Sequence, residues 1–379
     1  MRRTVAAVAL AVAIVGCDAA LPARTEPATP APSSTAPTTP STAAPSPTAP
    51  PTTVLLPGTF TSVPFPRRSG LPYNGGALLA DGRYAVTTLS DGGNGHATIL
   101  LDLMTGTSRT VDIPAGSFGG VVDIDSGRLA FLLWSRTTAG ETYDYVIEDA
   151  STGARTAVDH SDAPGIFHGE GAPAQPDAGF ILGPERVAYE HLFVQDGVLW
   201  ADLRVGRTGG SMASVITTRD VTSPRALGPT ALAYTVMTRN GDTQLRLYDL
   251  ASRKDTLVAR GLFSFEAALS ASRLLYYARP FDGHPGGIIL RDLASGSEHT
   301  LATGSCARPS ANDRYATITC GGGATLYTVT MFDVATFQAI DVARSTDVIG
   351  NARMLDGAIG WDRFDGSTPP GLYVETLRY

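Results

Sequence analysis

The chain has 379 residues, a formal charge of −7 and 43% hydrophobic residues, the composition of a soluble globular protein. Its cations are 28 arginines and a single lysine, Lys254, outnumbered by 36 acids. With no basic footprint on which a phosphate backbone could dock, nucleic acid is excluded as an expected partner.

The first element is a short apolar run from Val5 to Gly16, behind Arg2 and Arg3 and ending at Cys17. Its 12 residues fall short of the roughly 20 that cross a bilayer as a helix, so an export signal is expected, not a persistent span. The segment Ile14-Val15-Gly16-Cys17 resembles a bacterial lipobox, which implies cleavage before Cys17 and lipid attachment to it. The expected divisions are therefore a signal peptide over 1–16, a lipid-bearing stalk over 17–57 and a folded domain over 58–379. The stalk follows from composition: Leu21–Thr53 is almost wholly Pro, Ala, Thr and Ser, with ten prolines in 33 residues. Such a stretch cannot bury enough apolar surface to fold. Proline stiffens it to about 3.1 Å per residue, a reach on the order of 100 Å. The expected location is the extracytoplasmic face of the cell membrane.

The remaining residues repeat. One short triplet, usually with a small central residue, recurs as Tyr84-Ala85-Val86, Leu129-Ala130-Phe131, Val187-Ala188-Tyr189, Leu232-Ala233-Tyr234, Leu274-Leu275-Tyr276, Tyr315-Ala316-Thr317 and Ile359-Gly360-Trp361. Central residues are spaced by 45, 58, 45, 42, 41 and 44, a regular unit with one insertion. Each triplet follows a short segment and a turn, and precedes a third strand expected to end at Asp102, Asp149, Asp202, Asp249, Asp292, Asp333 or Glu375. In Asp102-Leu103-Met104-Thr105-Gly106 the aspartate can accept bonds from amides two residues on, while Gly supplies positive φ, so these acids are expected to cap turns rather than catalyse. A fourth strand closes most units, as at Arg109–Ile113 and Glu298–Leu301.

About 44 residues and four strands per unit, without helical periodicity, predict an all-β chain: a seven-bladed β-propeller of four-stranded antiparallel blades. A sandwich pair would not explain the even spacing. The last unit lacks an outermost strand, which Thr59–Phe65 is placed to supply, closing the ring. The Asp-Gly turns, such as Ala80-Asp81-Gly82, and the aspartate-capped hairpins resemble the repeats of TolB-like propellers over roughly 58–379. That resemblance implies a bacterial envelope protein and, by analogy, a partner in a translocation system.

Cys306 and Cys320 fall on the first and second strands of unit six, where an exported hairpin is expected to join them in a disulfide. No metal or cofactor is expected. His160, Asp162, His168 and Glu170 carry metal-ligand atoms, but in a Gly- and Pro-rich insertion (158–185) without recognised spacing they read as a loop. Asp123-Ile124-Asp125-Ser126-Gly127 reads as an inter-strand turn. Gly209-Gly210-Ser211-Met212-Ala213 approaches a nucleophile elbow without its strand-to-helix context.

Aligning the innermost strands brings Arg225, Arg308 and Arg353 within one residue of the same position, near the mouth of a central channel. Guanidinium groups converging there would hold a carboxylate or phosphate; alternatively they pair with Glu266 and Asp123 of neighbouring units. The first functional expectation is a monomeric, non-enzymatic binding or scaffold module for an envelope protein or anionic ligand. The second is an extracytoplasmic hydrolase, lyase or quinone-dependent oxidoreductase acting at the channel mouth, since propeller sites gather residues from several blades.

Overall fold

The computed structural model describes residues 60–64, 79–81, 83–90, 96–114, 117–137, 140–164, 179–238, 240–281, 284–321, 326–345, 348–355, 358–364 and 371–376. Cys17 and the expected signal and stalk lie outside the described residues, as do His168 and Glu170. Every regular element among the described residues is a strand.

The strands form four-stranded antiparallel sheets, each built from consecutive strands except the last. Sheet one holds strands Leu79–Ala80, Tyr84–Ser90, His96–Asp102 and Ser108–Val111; sheet two holds Phe118–Asp125, Arg128–Thr137, Gly140–Asp149 and Arg155–Pro164. Sheet three runs Phe180–Gly183, Arg186–Gln195, Val198–Arg207 and Met212–Thr218. Sheet four is Val221–Leu227, Ala231–Met237, Thr243–Asp249 and Asp255–Gly261, and sheet five is Phe263–Leu269, Arg273–Pro280, Gly286–Asp292 and Glu298–Gly304. Sheet six is Cys306–Ala311, Tyr315–Cys320, Tyr327–Asp333 and Ala339–Ser345. Sheet seven takes Val348–Leu355, Ala358–Phe364 and Gly371–Thr376, and its outer edge is Phe60–Pro64, in register from Phe60 against Glu375 to Pro64 against Gly371. The first strand of each sheet neighbours those of the sheets before and after it, and that of sheet seven returns to that of sheet one. The fold is a β-propeller, closed by pairing the two ends of the domain.

The core lies between sheets, which explains the repeated triplet. All seven triplets sit on second strands. The central Ala85, Ala130, Ala188, Ala233, Leu275 and Ala316 are at most 2% exposed. Flanking aromatics fill the gap to the next sheet: Tyr145 of sheet two packs on Phe180 and Tyr189 of sheet three at centroid distances of 5.6 and 4.8 Å. Each such ring contributes roughly 1.5–3 kcal/mol on burial. Polar links cross the same gaps. Glu190 accepts from the Thr222 amide and hydroxyl at 3.1 and 2.7 Å, and Glu148, 2% exposed, is held between Arg109 of sheet one and Arg155 of its own sheet. Toward the axis the space narrows: a Cβ on Gly183 would lie 2.5 Å from the Leu227 carbonyl oxygen of the next sheet.

The aspartate caps form as expected at the third hairpins. Asp149 Oδ1 accepts from the amides of Ser151 and Thr152 at 3.0 and 2.8 Å, and Asp102, Asp249, Asp292 and Asp333 repeat the arrangement. Asp202 departs from it. Its strand continues to Arg207, so Asp202 lies mid-strand, bonded to Arg204 at 2.8 Å and to the hydroxyls of Ser214 and Thr217. The turn has moved to Arg207–Gly210, closed by the Gly210 amide on the Arg207 carbonyl at 2.9 Å. Ser211 therefore follows a hairpin turn, not a nucleophile elbow. The long interval between triplets two and three reflects the 10-residue strands of sheet two, together with residues 165–178, which are not described.

Candidate functional site

The first strand of every sheet contributes to one axial cavity of about 470 Å³, lined by Ala80, Val122–Asp125, Ile181–Leu182, Pro224–Leu227, Glu266–Leu269, Pro309–Ala311 and Arg353–Met354. A volume between roughly 300 and 1,000 Å³ suits a small-molecule site. Toward the Asp-Gly turns it adjoins a wider hollow of about 730 Å³ bordered by Asp81, Ser126 and Asn312. The channel thus opens on the face that carries the aspartate caps.

Arg225 and Arg353 both line the cavity, as the alignment of inner strands predicts. Arg225 owes its direction to a β-bulge. Pro224 opposes Tyr234 and Ala226 opposes Ala233, leaving Arg225 as the extra residue; a bulge turns a side chain out of the alternating pleat. Its Nε donates to Thr235 Oγ1 at 3.1 Å. Register also shifts at Val121/Asp123, Ala307/Ser310 and Ile349/Ala352, in the inner strands of sheets two, six and seven. Arg353 Nη1 donates to the Pro309 carbonyl of sheet six at 3.4 Å. The side chain of Arg308 lies outside the described residues, though its backbone falls within the sheet-six bulge.

Asp123 is displaced from its sequence reading. Only Asp125, Ser126 and Gly127 border the turn, whereas Asp123 sits in the inner strand and faces the channel. Its Oδ1 accepts from the Ile124 amide at 2.9 Å and its Oδ2 from the Leu182 amide of sheet three at 2.8 Å. Burial pushes its carboxyl up to about 6, against the opposing pull of those two amides and of the Arg353 charge. Glu266 and Asp125 complete the charged lining. The sequence offers Asp123 both as a turn acid and as a partner for the channel arginines; the inner strand is where it lies, beside a bulge that is invisible in composition.

Cys306 and Cys320 oppose each other in register and form a disulfide, with sulfurs 2.07 Å apart, joining the first and second strands of sheet six. His160 bonds Asp144 at 2.7 Å through Nδ1 and Asp162 at 3.0 Å through Nε2, and these carboxylates raise its pKa. Both ring nitrogens are thereby engaged, and no cluster of three or more metal-ligating side chains occurs among the described residues. Ser161, His191 and Asp159 meet between sheets two and three, yet both oxygens reach the same imidazole nitrogen, Nδ1, at 3.2 and 2.8 Å. Nucleophilic catalysis needs serine and aspartate on opposite ring nitrogens, and Ser161 is fully buried. The group is a packing link.

No protein-family model matches the chain, and no curated protein does. Solved structures match in fold. A structure from a study of two prolyl endopeptidases is 12% identical with a TM-score of 0.56, covering 82% of this chain and 50% of that one. The β-propeller domain of the trilobed protease from Pyrococcus furiosus is 10% identical with a TM-score of 0.56, covering 79% and 96%. An oligogalacturonate lyase in complex with manganese is 14% identical with a TM-score of 0.50, covering 86% and 98%. The chain spans about half the length of the peptidases it matches. At such identities the likeness is one of fold alone.

Proposed function

We propose that this protein is a lipid-anchored envelope component whose seven-bladed propeller acts as a non-enzymatic binding module, taking a carboxylate-bearing ligand in the channel. The observation that carries the reading is Arg225, turned by a bulge into a cavity shared by every inner strand, with Arg353 in the same cavity. A guanidinium presents paired donors that match a carboxylate. Cys17 and the proline-rich stretch after it support the tether, and the TolB-like character of the repeats supports an envelope setting.

Isothermal titration of the mature protein with trigalacturonate and with an acidic tripeptide tests the channel. At least one should bind, and Arg225→Ala and Arg353→Ala should each weaken it tenfold or more. Unchanged affinity in both variants, or no binding of either probe, overturns the assignment. The tether is checked by the mass of the N-terminal peptide from native membranes, which should begin at an acylated Cys17.

A further inference from the structure

The charged lining is not of one sign. Round the channel the described charged side chains alternate: Asp123 and Asp125 on sheet two, Arg225 on sheet four, Glu266 on sheet five and Arg353 on sheet seven. A ligand carrying only negative charge would meet the guanidinium groups at the cost of facing three carboxylates across a narrow, partly desolvated space. A ligand with a cation at one end and an anion at the other can set each end against a group of opposite charge.

Asp123 is built to take such a cation. Its two oxygens each accept one backbone amide, which fixes the carboxylate in place. An ionised carboxylate offers about four lone-pair sites, so two remain for a donor in the channel. Asp125, two residues on, is steadied by Arg128 at 3.1 Å and adds negative potential on the same strand.

We infer that the channel ligand is a small zwitterion, such as a short peptide with free termini, its carboxylate held by Arg225 and Arg353 and its ammonium by Asp123. The inference rests on the binding role proposed above and sharpens it from an anion to a dipolar molecule. Its selectivity comes from repulsion as much as attraction, because an end of the wrong charge would face a like-charged group of the wall.

The experiment is a titration series with trialanine, N-acetyl-trialanine and trialanine amide, alongside trigalacturonate. Trialanine should bind at least tenfold tighter than either capped form. Asp123→Asn should abolish discrimination against the acetyl cap, while Arg353→Gln should abolish discrimination against the amide. The capped ligands test the idea without altering the protein, so it stays exposed even if Asp123→Asn folds poorly. Equal or tighter binding of the acetylated peptide overturns the zwitterion and leaves the anion site standing. Binding of trigalacturonate but of no peptide does the same, and no binding of any probe overturns both.

Discussion

Sheet two contains two aspartates with opposite fates. Asp149 caps an exposed hairpin, where the hydroxyl of Ser151 and the amide and hydroxyl of Thr152 hold its carboxyl down to about 2. Asp123 stands in the channel, where burial pushes its carboxyl up to about 6. Asp149 belongs to a motif repeated at Asp102, Asp249, Asp292 and Asp333; Asp123 lies beside a register shift that the third and fifth sheets lack. Recurrence in register marks what the fold needs of every unit, and the inner-strand register shifts of sheets two, four, six and seven mark where channel side chains are re-aimed.

Removing the sheet-six disulfide should cost the fold most. The disulfide ties the first strand of sheet six to its second across a 14-residue separation, and closing such a loop is worth roughly 3 kcal/mol in the chain-entropy account. Cys306→Ala with Cys320→Ala should lower the unfolding free energy by about that amount in urea denaturation. A loss below about 1 kcal/mol would show that the unfolded chain without the bridge already keeps these segments close, so that the bridge removes little of its freedom.

The contrast also explains what could be read from residues alone. Triplets such as Leu232-Ala233-Tyr234 stand out because every inter-sheet gap needs the same small centre and bulky flank, so one physical demand is written repeatedly. The caps were legible for the same reason, and the closing strand Phe60–Pro64 followed from a missing partner. Asp202 was misread because its strand grew past the usual length, which moved the turn without altering the local residue pattern. Arg225 and Arg353 could be found by aligning inner strands, and Asp123 emerged there only as their alternative partner. Its position depends on one extra residue opposing a neighbour, a feature of pairing that no single strand displays.

Acid titration separates the two aspartates directly. Because the folded pKa of Asp123 is raised, the native state binds more protons than the unfolded chain between about pH 4 and 6, so stability falls as pH rises through that window and is level above it. The charged groups that act on it are Asp125 on its own strand and Arg353 on sheet seven, while Ala130 opposes it on the second strand. Asp123→Asn should remove this slope, with a difference on the order of 2 kcal/mol between denaturation at pH 4 and at pH 7. An unchanged slope would mean that Asp123 ionises freely into the channel. Loss of the zwitterion's ammonium contact below pH 6 should accompany it, read as weaker trialanine binding in the same buffers.

Asp149 should do the reverse, and more weakly. Its folded pKa lies below the unfolded value, so the stability it contributes is present above about pH 4 and is lost as pH falls toward 2. Its carboxylate is exposed, and solvent screens much of what the hydrogen bonds gain, so the effect of Asp149→Ala should be the smallest of the three. What distinguishes the two acids is sign. A carboxyl resonance followed by NMR should titrate near pH 2 for Asp149 and near pH 6 for Asp123 in one and the same sheet. If both titrated near 4, the hairpin and the channel would be electrostatically alike, and the bulge beside Asp123 would be a feature of strand geometry with no consequence for what the channel can hold.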